Sequence, residues 1–402
     1  MNQKPKLWTK DFIIVSSANF FLFLTFYVLM VTLTLYTMDN FHSSQAQAGL
    51  ASSIFVLGAV LVRPIAGKKI DQLGRRKMLL GSLVLFLLAS VFYLQVDSLP
   101  LLFIDRLVHG ISFGLATTAT GTIAADIIPN ERRGEGTGYF AMSTNLAMAF
   151  GPFIGLFITQ HFSYSFIFYA ASLFAAFSLV ASLFLFVPEA PKDQTTRPRG
   201  FNIKDYFEKR ALPISILVMF AGFAYSSILS YLTSFAKEID LLEAASFFFV
   251  VFAIFLLVTR PFTGRMFDVK GENAVIYPSL VLFAIGMVIL SQSQHALTLL
   301  IAGAFIGVGY GTFQSSAQAI SIKESPSNRM GLATSTFFTF YDFGIGLGPF
   351  MLGFLVPYTG FKGLFICMAV LSFLLIVIYY IVHGKKASLR ASKQNADDQL
   401  IS

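Results

Sequence analysis

Charge is scarce in this chain. Of its 402 residues only 12% are Asp, Glu, Lys or Arg, about half the share in soluble domains. Cysteine is nearly absent: Cys367 stands alone, so no internal disulfide can form. There is no phosphate-cradling Gly/Lys loop and no Cys/His set at metal-ligand spacing. Nor does a Ser/His/Asp constellation stand outside the apolar stretches. These absences speak against nucleotide-driven work, a resident metal or cofactor, and enzymatic catalysis.

What the chain has instead is apolar length. Hydrophobic residues make up 55%, with 46 phenylalanines among them. A helix needs about 20 apolar residues to cross the hydrocarbon core. Twelve stretches qualify: 12–37, 47–66, 77–96, 99–123, 138–160, 164–187, 211–235, 243–262, 274–293, 297–320, 331–356 and 362–383. The expected fold is all-α, an integral membrane protein of twelve transmembrane helices. The first stretch is long and aromatic and lacks a small-residue cleavage site, so it reads as a retained helix. Lys and Arg set the orientation. With the N-terminus inside, 24 of the 29 basic residues fall in inner segments, and the outer loops keep only Lys237 and Lys362. Both termini are therefore expected to be cytoplasmic. The net charge of +8 follows from this topology, with some attraction to anionic lipid and no nucleic-acid partner. Pro188, Pro191 and Pro198 among charges mark 188–210 as a linker between halves 1–187 and 211–383, with a tail at 384–402. Residues 201–210 alternate aromatic and charged side chains, which suits either an interfacial helix or a plain tether.

The halves share one code. Arg63-Pro64-x-x-Gly67-x-x-x-Asp71-x-x-Gly74 returns 197 residues later as Arg260-Pro261-x-x-Gly264-x-x-x-Asp268-x-x-Gly271. The same offset carries Pro129 to Pro326, Arg132 to Arg329, Gly134 to Gly331 and Gly151-Pro152 to Gly348-Pro349. A fixed offset held this far points to a duplicated unit.

The segment from Gly67 to Lys77, with Asp71, Gly74, Arg75 and Arg76, resembles the loop signature of the major facilitator superfamily. Arg106 followed by Gly110 and Gly114 resembles a second signature of that superfamily. Gly151-Pro152-x-x-Gly155 resembles the motif of its drug/proton antiporters, with Ala147 and Leu156 where glycines are usual. The resemblance spans essentially the whole chain. It implies two pseudo-symmetric six-helix bundles and a secondary transporter with its solute site between them. It also implies a latch in which Asp71 lies against the start of the eleventh helix and Arg75 pairs with Asp126. Gly67 and Gly74 permit the tight turn this needs. Lys68, Lys69, Arg76 and Lys77 read as topology determinants. The repeat then adds an inference of its own. Offset by 197, Arg75 becomes Glu272 and Asp126 becomes Lys323, an ion pair of reversed sign. Glu272 is expected to contact Lys323, and Asp268 to approach the start of the fifth helix near Gly136.

Ionisable groups inside a bilayer are costly and therefore candidates for function. Asp105, Arg106 and His109 lie in the fourth stretch and Asp342 in the eleventh. Asp105 and His109 share a helical face, whereas Arg106 points about 100° away. Asp342 is the first candidate to carry a proton, with Asp105 and His109 behind it; its repeat partner is the neutral Asn145. A structural carboxylate is the competing reading. Asn19, Tyr27, Arg106, Asn145, Tyr225, Gln314 and Tyr341 are candidate solute contacts, although a given aromatic is more often packing. Gly303, Gly307, Gly311, Gly344 and Gly348 recur at the four-residue spacing of close helix contact. Gly151, Pro152, Gly348 and Pro349 are expected to let two helices bend. The function expected from all this is proton-coupled export of small amphipathic organic molecules by a monomer in the plasma membrane of a bacterium. A proton-coupled importer, a lipid or lipid-linked sugar flippase and a non-transporting sensor are the alternatives.

Overall fold

A bilayer offers the backbone no water, so each spanning segment must satisfy its own N–H and C=O groups. The computed structural model, which describes residues 5–129, 132–187, 207–326 and 329–389, answers this with helix throughout. In chain order the helices are α1 Lys10–Phe41, α2 Gln45–Leu73, α3 Arg75–Phe92, α4 Leu99–Ile127, α5 Arg133–His161 and α6 Ser165–Leu183. Then follow α7 Leu212–Glu238, α8 Leu242–Lys270, α9 Glu272–Ser291 and α10 Ala296–Lys323. The last helical run, Met330–Tyr379, is broken at Gly360, where φ is 65° and ψ 177°. Its arms, 330–359 and 361–379, are α11 and α12. Among the described residues eleven helical runs are long and apolar enough to cross a membrane, and the Gly360 break makes twelve spans of them.

The chain divides into two compact units, residues 1–199 and 200–402. The expected linker lies outside the described residues from 188 to 206, as does the tail beyond 389. Within unit 1, α1 packs on α5 and α6, α2 on α4, and α3 on α4 and α6. Unit 2 repeats the scheme, with α8 on α10, α9 on α10, and α7 and α9 on the last helical run. Outward faces stay apolar: Leu57, Leu61, Phe157, Phe177, Phe255 and Phe354 are all exposed, as lipid contact requires. Cys367 is exposed on α12.

Small residues set the helix separations. A Cβ at Gly110 would overlap the Phe55 carbonyl oxygen, and one at Gly307 would overlap that of Phe252. The two contacts are one offset of 197 apart. Gly344 likewise closes on the Met219 carbonyl, Gly151 on Tyr27 and Gly348 on Ser226. Gly74 and Gly271 have φ of 88° and 83°, so the two joins α2–α3 and α8–α9 share a turn that favours glycine.

Candidate functional site

The aromatic core shows how far the duplication reaches. In unit 1, Phe26 stacks on Phe55 and Phe113, and Phe86 adjoins Phe113. In unit 2, Tyr225 stacks on Phe252 and Tyr310, and Phe283 adjoins Tyr310. Phe55, Phe86 and Phe113 have their 197-offset counterparts in Phe252, Phe283 and Tyr310, and Tyr225, 199 residues on, takes the place of Phe26. Two phenols in unit 2 replace two phenylalanines, and the Tyr225 hydroxyl is buried with no hydrogen-bond partner.

Beside the unit 1 core lies a buried polar island with no counterpart at the equivalent described positions of unit 2. Arg106 is fully buried. Its Nε donates to the Ala51 carbonyl at 2.8 Å, its Nη1 to the Tyr93 hydroxyl at 3.2 Å, and its guanidinium sits 4.3 Å above the Phe55 ring. His109, also fully buried, has Nδ1 3.0 Å from the Tyr93 hydroxyl and Nε2 3.1 Å from Ser90 Oγ. Asp105 is buried as well, and its Oδ2 has no hydrogen-bond partner; neither does Arg106 Nη2. Offset by 197, this island becomes Ala302, Gly303, Ile306, Leu290 and Met287, all buried or packed and none polar. Where Arg106 reaches past Ala51, Gly303 makes way for the Phe248 ring. A bundle of this kind evidently packs without the island.

Asn19 joins three helices of unit 1. Its Nδ2 donates to Ser143 Oγ at 2.8 Å and Thr144 Oγ1 at 3.1 Å, and its Oδ1 accepts from Thr120 at 3.1 Å. With both ends of the amide engaged, Asn19 ties α1 to α4 and α5. Asn145 and Tyr27 are buried in the same unit. In unit 2, Tyr225 and Tyr341 are buried, Gln314 and Asp342 are half-buried, and the Tyr231 hydroxyl donates to the Pro349 carbonyl. Helix α5 runs through Pro152 and α11 through Pro349.

At the end of each unit where the paired helices turn back, the charges meet. Arg75, opening α3, forms an ion pair with Asp126 near the end of α4. Glu272, opening α9, accepts from Lys323 Nζ at the end of α10 at 2.7 Å. Asp71 and Asp268, and Gly67 beside the first, lie outside the residues whose side chains are described. At these ends four contacts escaped sequence reasoning. Arg76 donates to the Leu183 carbonyl at 2.9 Å, at the end of α6. His383 bonds Glu272 from a π-helical turn, Tyr380–Gly384. Arg132 reaches the Pro5 carbonyl at 3.1 Å, and its repeat partner Arg329 pairs with Glu208 at 2.6 Å, so each holds the segment leading into its own unit. Ligand atoms of Glu272, Glu324 and His383 lie within 4.8 Å of one another. Lys323 and Lys386 already neutralise the two carboxylates, so we read this group as a charge network and not as a metal centre.

Many apolar spans, duplicated units and buried charge within the spans define a multi-pass membrane protein, and its family makes it a transporter, not an enzyme. The model of the Major Facilitator Superfamily matches residues 15–273 and 241–401, and the chain belongs to that family. It is 24% identical to Multidrug resistance protein 1 of Bacillus subtilis, over 81% of this chain and 85% of that one. It is 23% identical to Quinolone resistance protein NorA of Staphylococcus aureus, over 83% and 87%. Among solved structures, a POT family transporter superposes with a TM-score of 0.77 at 14% identity, covering 93% of this chain and 96% of that one. The nucleoside transporter NupG superposes with a TM-score of 0.72 at 15% identity, covering 92% and 98%. These likenesses establish the fold.

Proposed function

We propose that the protein is a proton-coupled exporter of small amphipathic organic molecules, working by alternating access as a monomer in a bacterial plasma membrane, with both termini cytoplasmic. One observation carries this reading. The intramembrane acids, Asp105 in α4 and Asp342 in α11, occupy positions where the other repeat has Ala302 and Asn145. Neither is therefore demanded by the duplicated fold, and an ionisable group kept at such cost in lipid is most simply kept for moving charge. Proton binding falls to these two acids. Arg106 serves the proton side, since its bonded donors are spent inside unit 1. Tyr27 and Asn145 in unit 1, and Tyr225, Gln314 and Tyr341 in unit 2, are the solute contacts, aromatic groups with a few directed polar ones, a composition that suits amphipathic solutes. The relatives named for multidrug and quinolone resistance agree with outward transport of such molecules. The pairs Arg75–Asp126 and Glu272–Lys323 act as latches on the cytoplasmic side, released and remade as access alternates.

The test is a reconstituted one. Purified protein is placed in liposomes with an imposed pH gradient, and an internal pH dye is followed while quinolones and other amphipathic solutes are added. Wild type is expected to show solute-triggered proton movement, and Asp342→Asn none. Proton movement that is absent for every solute, or identical in the variant, would reject the coupling scheme.

A further inference from the structure

The unit 1 island has a hydrogen-bond polarity that can be worked out atom by atom. Ser90 donates its hydroxyl hydrogen to the Phe86 carbonyl at 2.8 Å. Its oxygen must then accept from His109 Nε2, which lies 3.1 Å away. A neutral imidazole carrying hydrogen on Nε2 is an acceptor at Nδ1. The Tyr93 hydroxyl, 3.0 Å from Nδ1, is therefore the donor there, and its oxygen accepts from Arg106 Nη1. The chain Arg106 → Tyr93 → His109 → Ser90 → Phe86 runs in one direction with every hydrogen assigned.

This polarity closes one route for a proton and leaves another. A second hydrogen on His109 would sit on Nδ1 and point at a Tyr93 oxygen already facing Arg106. The Tyr93 hydrogen would lose its acceptor, and two cations would share a buried site. Asp105 stands differently. Its Oδ2 is buried and takes no hydrogen bond: Arg106 spends Nε on Ala51 and Nη1 on Tyr93, and its Nη2 reaches no acceptor. A carboxylate oxygen buried without a donor is the group a proton relieves most. The other groups facing this site do not compete. From its own helix Asp105 meets Arg106 and the neutral His109. The α3 end brings the hydroxyls of Ser90 and Tyr93, and α2 the Ala51 carbonyl and Phe55 ring. Helix α1 brings Tyr36, packed with Tyr93 and Leu102. Tyr164, before α6, donates to Asp39 at 2.7 Å. Helix α5 carries no carboxylate or base between 136 and 160, and the next base on α2, Arg63, lies two helical turns beyond Phe55.

We propose that Asp105 is the proton-binding group of unit 1, and that Tyr93 acts as a positioning residue which holds His109 neutral and in one tautomer. The proposal rests on the proton-coupled reading above and deepens it, adding why the neighbouring imidazole takes no part and which residue keeps it out.

Two measurements on the full-length protein test it. The first is solute-triggered proton movement in liposomes. Asp105→Asn is expected to fall to the level of empty vesicles. His109→Gln keeps an acceptor for Tyr93 and a donor for Ser90 but takes up no proton, so it is expected to retain the flux. His109→Leu breaks the chain and is expected to lose it. The second measurement needs no transport: the infrared C=O band of a protonated carboxylic acid, followed against pH in purified protein. Wild type and His109→Gln should share a band that Asp105→Asn lacks. Tyr93→Phe should keep that band, and histidine ¹⁵N spectra should show His109 gaining a titration absent from wild type. Loss of flux in His109→Gln, or the same band intensity in Asp342→Asn and in the double variant Asp105→Asn with Asp342→Asn, overturns the proposal. Absent flux in wild type alongside the expected bands would reject proton coupling while leaving Asp105 as the proton site.

Discussion

Units 1 and 2 solve the same packing problem with different chemistry at one place. Both set a four-membered aromatic core between equivalent helices, and both bring α2 to α4 or α8 to α10 over glycine against a phenylalanine carbonyl. Beside that core, unit 1 buries Asp105, Arg106, His109, Tyr93 and Ser90, where unit 2 buries apolar side chains and Gly303. Each unit thus serves as a control for the other. What both contain is needed to build a six-helix bundle. What only one contains has another purpose, and it is costly: buried polar groups without partners, as at Asp105 Oδ2, lower stability.

The largest effect is expected from forcing unit 1 to adopt the solution of unit 2. Arg106→Gly empties a closed site, and deletions of that size from a core cost about 2–5 kcal/mol. Ala51→Phe alone drives a ring into the guanidinium, and overpacking of this kind costs about 1–3 kcal/mol. Together they recreate the Gly303–Phe248 arrangement, in which the ring lies against the glycine. The double variant is expected to melt well above Arg106→Gly, yet to move no protons. Thermal unfolding in detergent decides the first point and liposome flux the second. A double variant no more stable than the singles would show that the two sites are not equivalent.

A middle-sized effect should fall equally on both units. Gly110→Ala and Gly307→Ala each press a Cβ into a backbone carbonyl of the neighbouring helix, which side-chain movement cannot relieve. Each is expected to lose about 1–3 kcal/mol. Gly121→Ala, in the same helix as Gly110 but with nothing within 4 Å of its Cβ, should instead gain up to about 1 kcal/mol from helix propensity. Similar melting temperatures for all three would mean that these glycines do not set helix separation.

The parts of this structure that can be read from sequence are the parts both units share. The offset of 197 locates the turns at Gly74 and Gly271, because that backbone strongly favours glycine. It also pairs Glu272 with Lys323, because reversing both charges preserves a contact and leaves a trace at two positions. The twelve spans are legible from apolar length alone. Tyr93 and Ser90 are not, since a tyrosine or serine near a helix end carries no pattern. The signal that finds them is a mismatch across the offset, which takes Tyr93 and Ser90 to the apolar Leu290 and Met287. His383 escapes for a different reason. It reaches Glu272 from a π-helical turn, and an extra residue in a helix rotates everything after it out of the expected register. Arg106 is visible as a buried charge, but its engagement with Ala51 and Tyr93 depends on the shape of the neighbouring helices.

The smallest and sharpest contrast lies in the two reversed ion pairs. The Arg75 and Asp126 side chains retain 18% and 39% of their exposure, so water screens them and the pair is worth about 0–1 kcal/mol. Glu272 retains 4%, and its oxygens answer both Lys323 and His383, so Glu272→Gln is expected to cost more, about 1–3 kcal/mol. Exchanging charges within each pair separates the cases further. Arg75→Asp with Asp126→Arg returns an equivalent contact, and stability should recover almost fully. Glu272→Lys with Lys323→Glu restores the first contact but sets an ammonium against His383, so recovery should be partial and should improve when His383→Gln is added. Equal recovery in the two units, read as melting temperature at one pH, would mean that His383 adds nothing to the unit 2 pair.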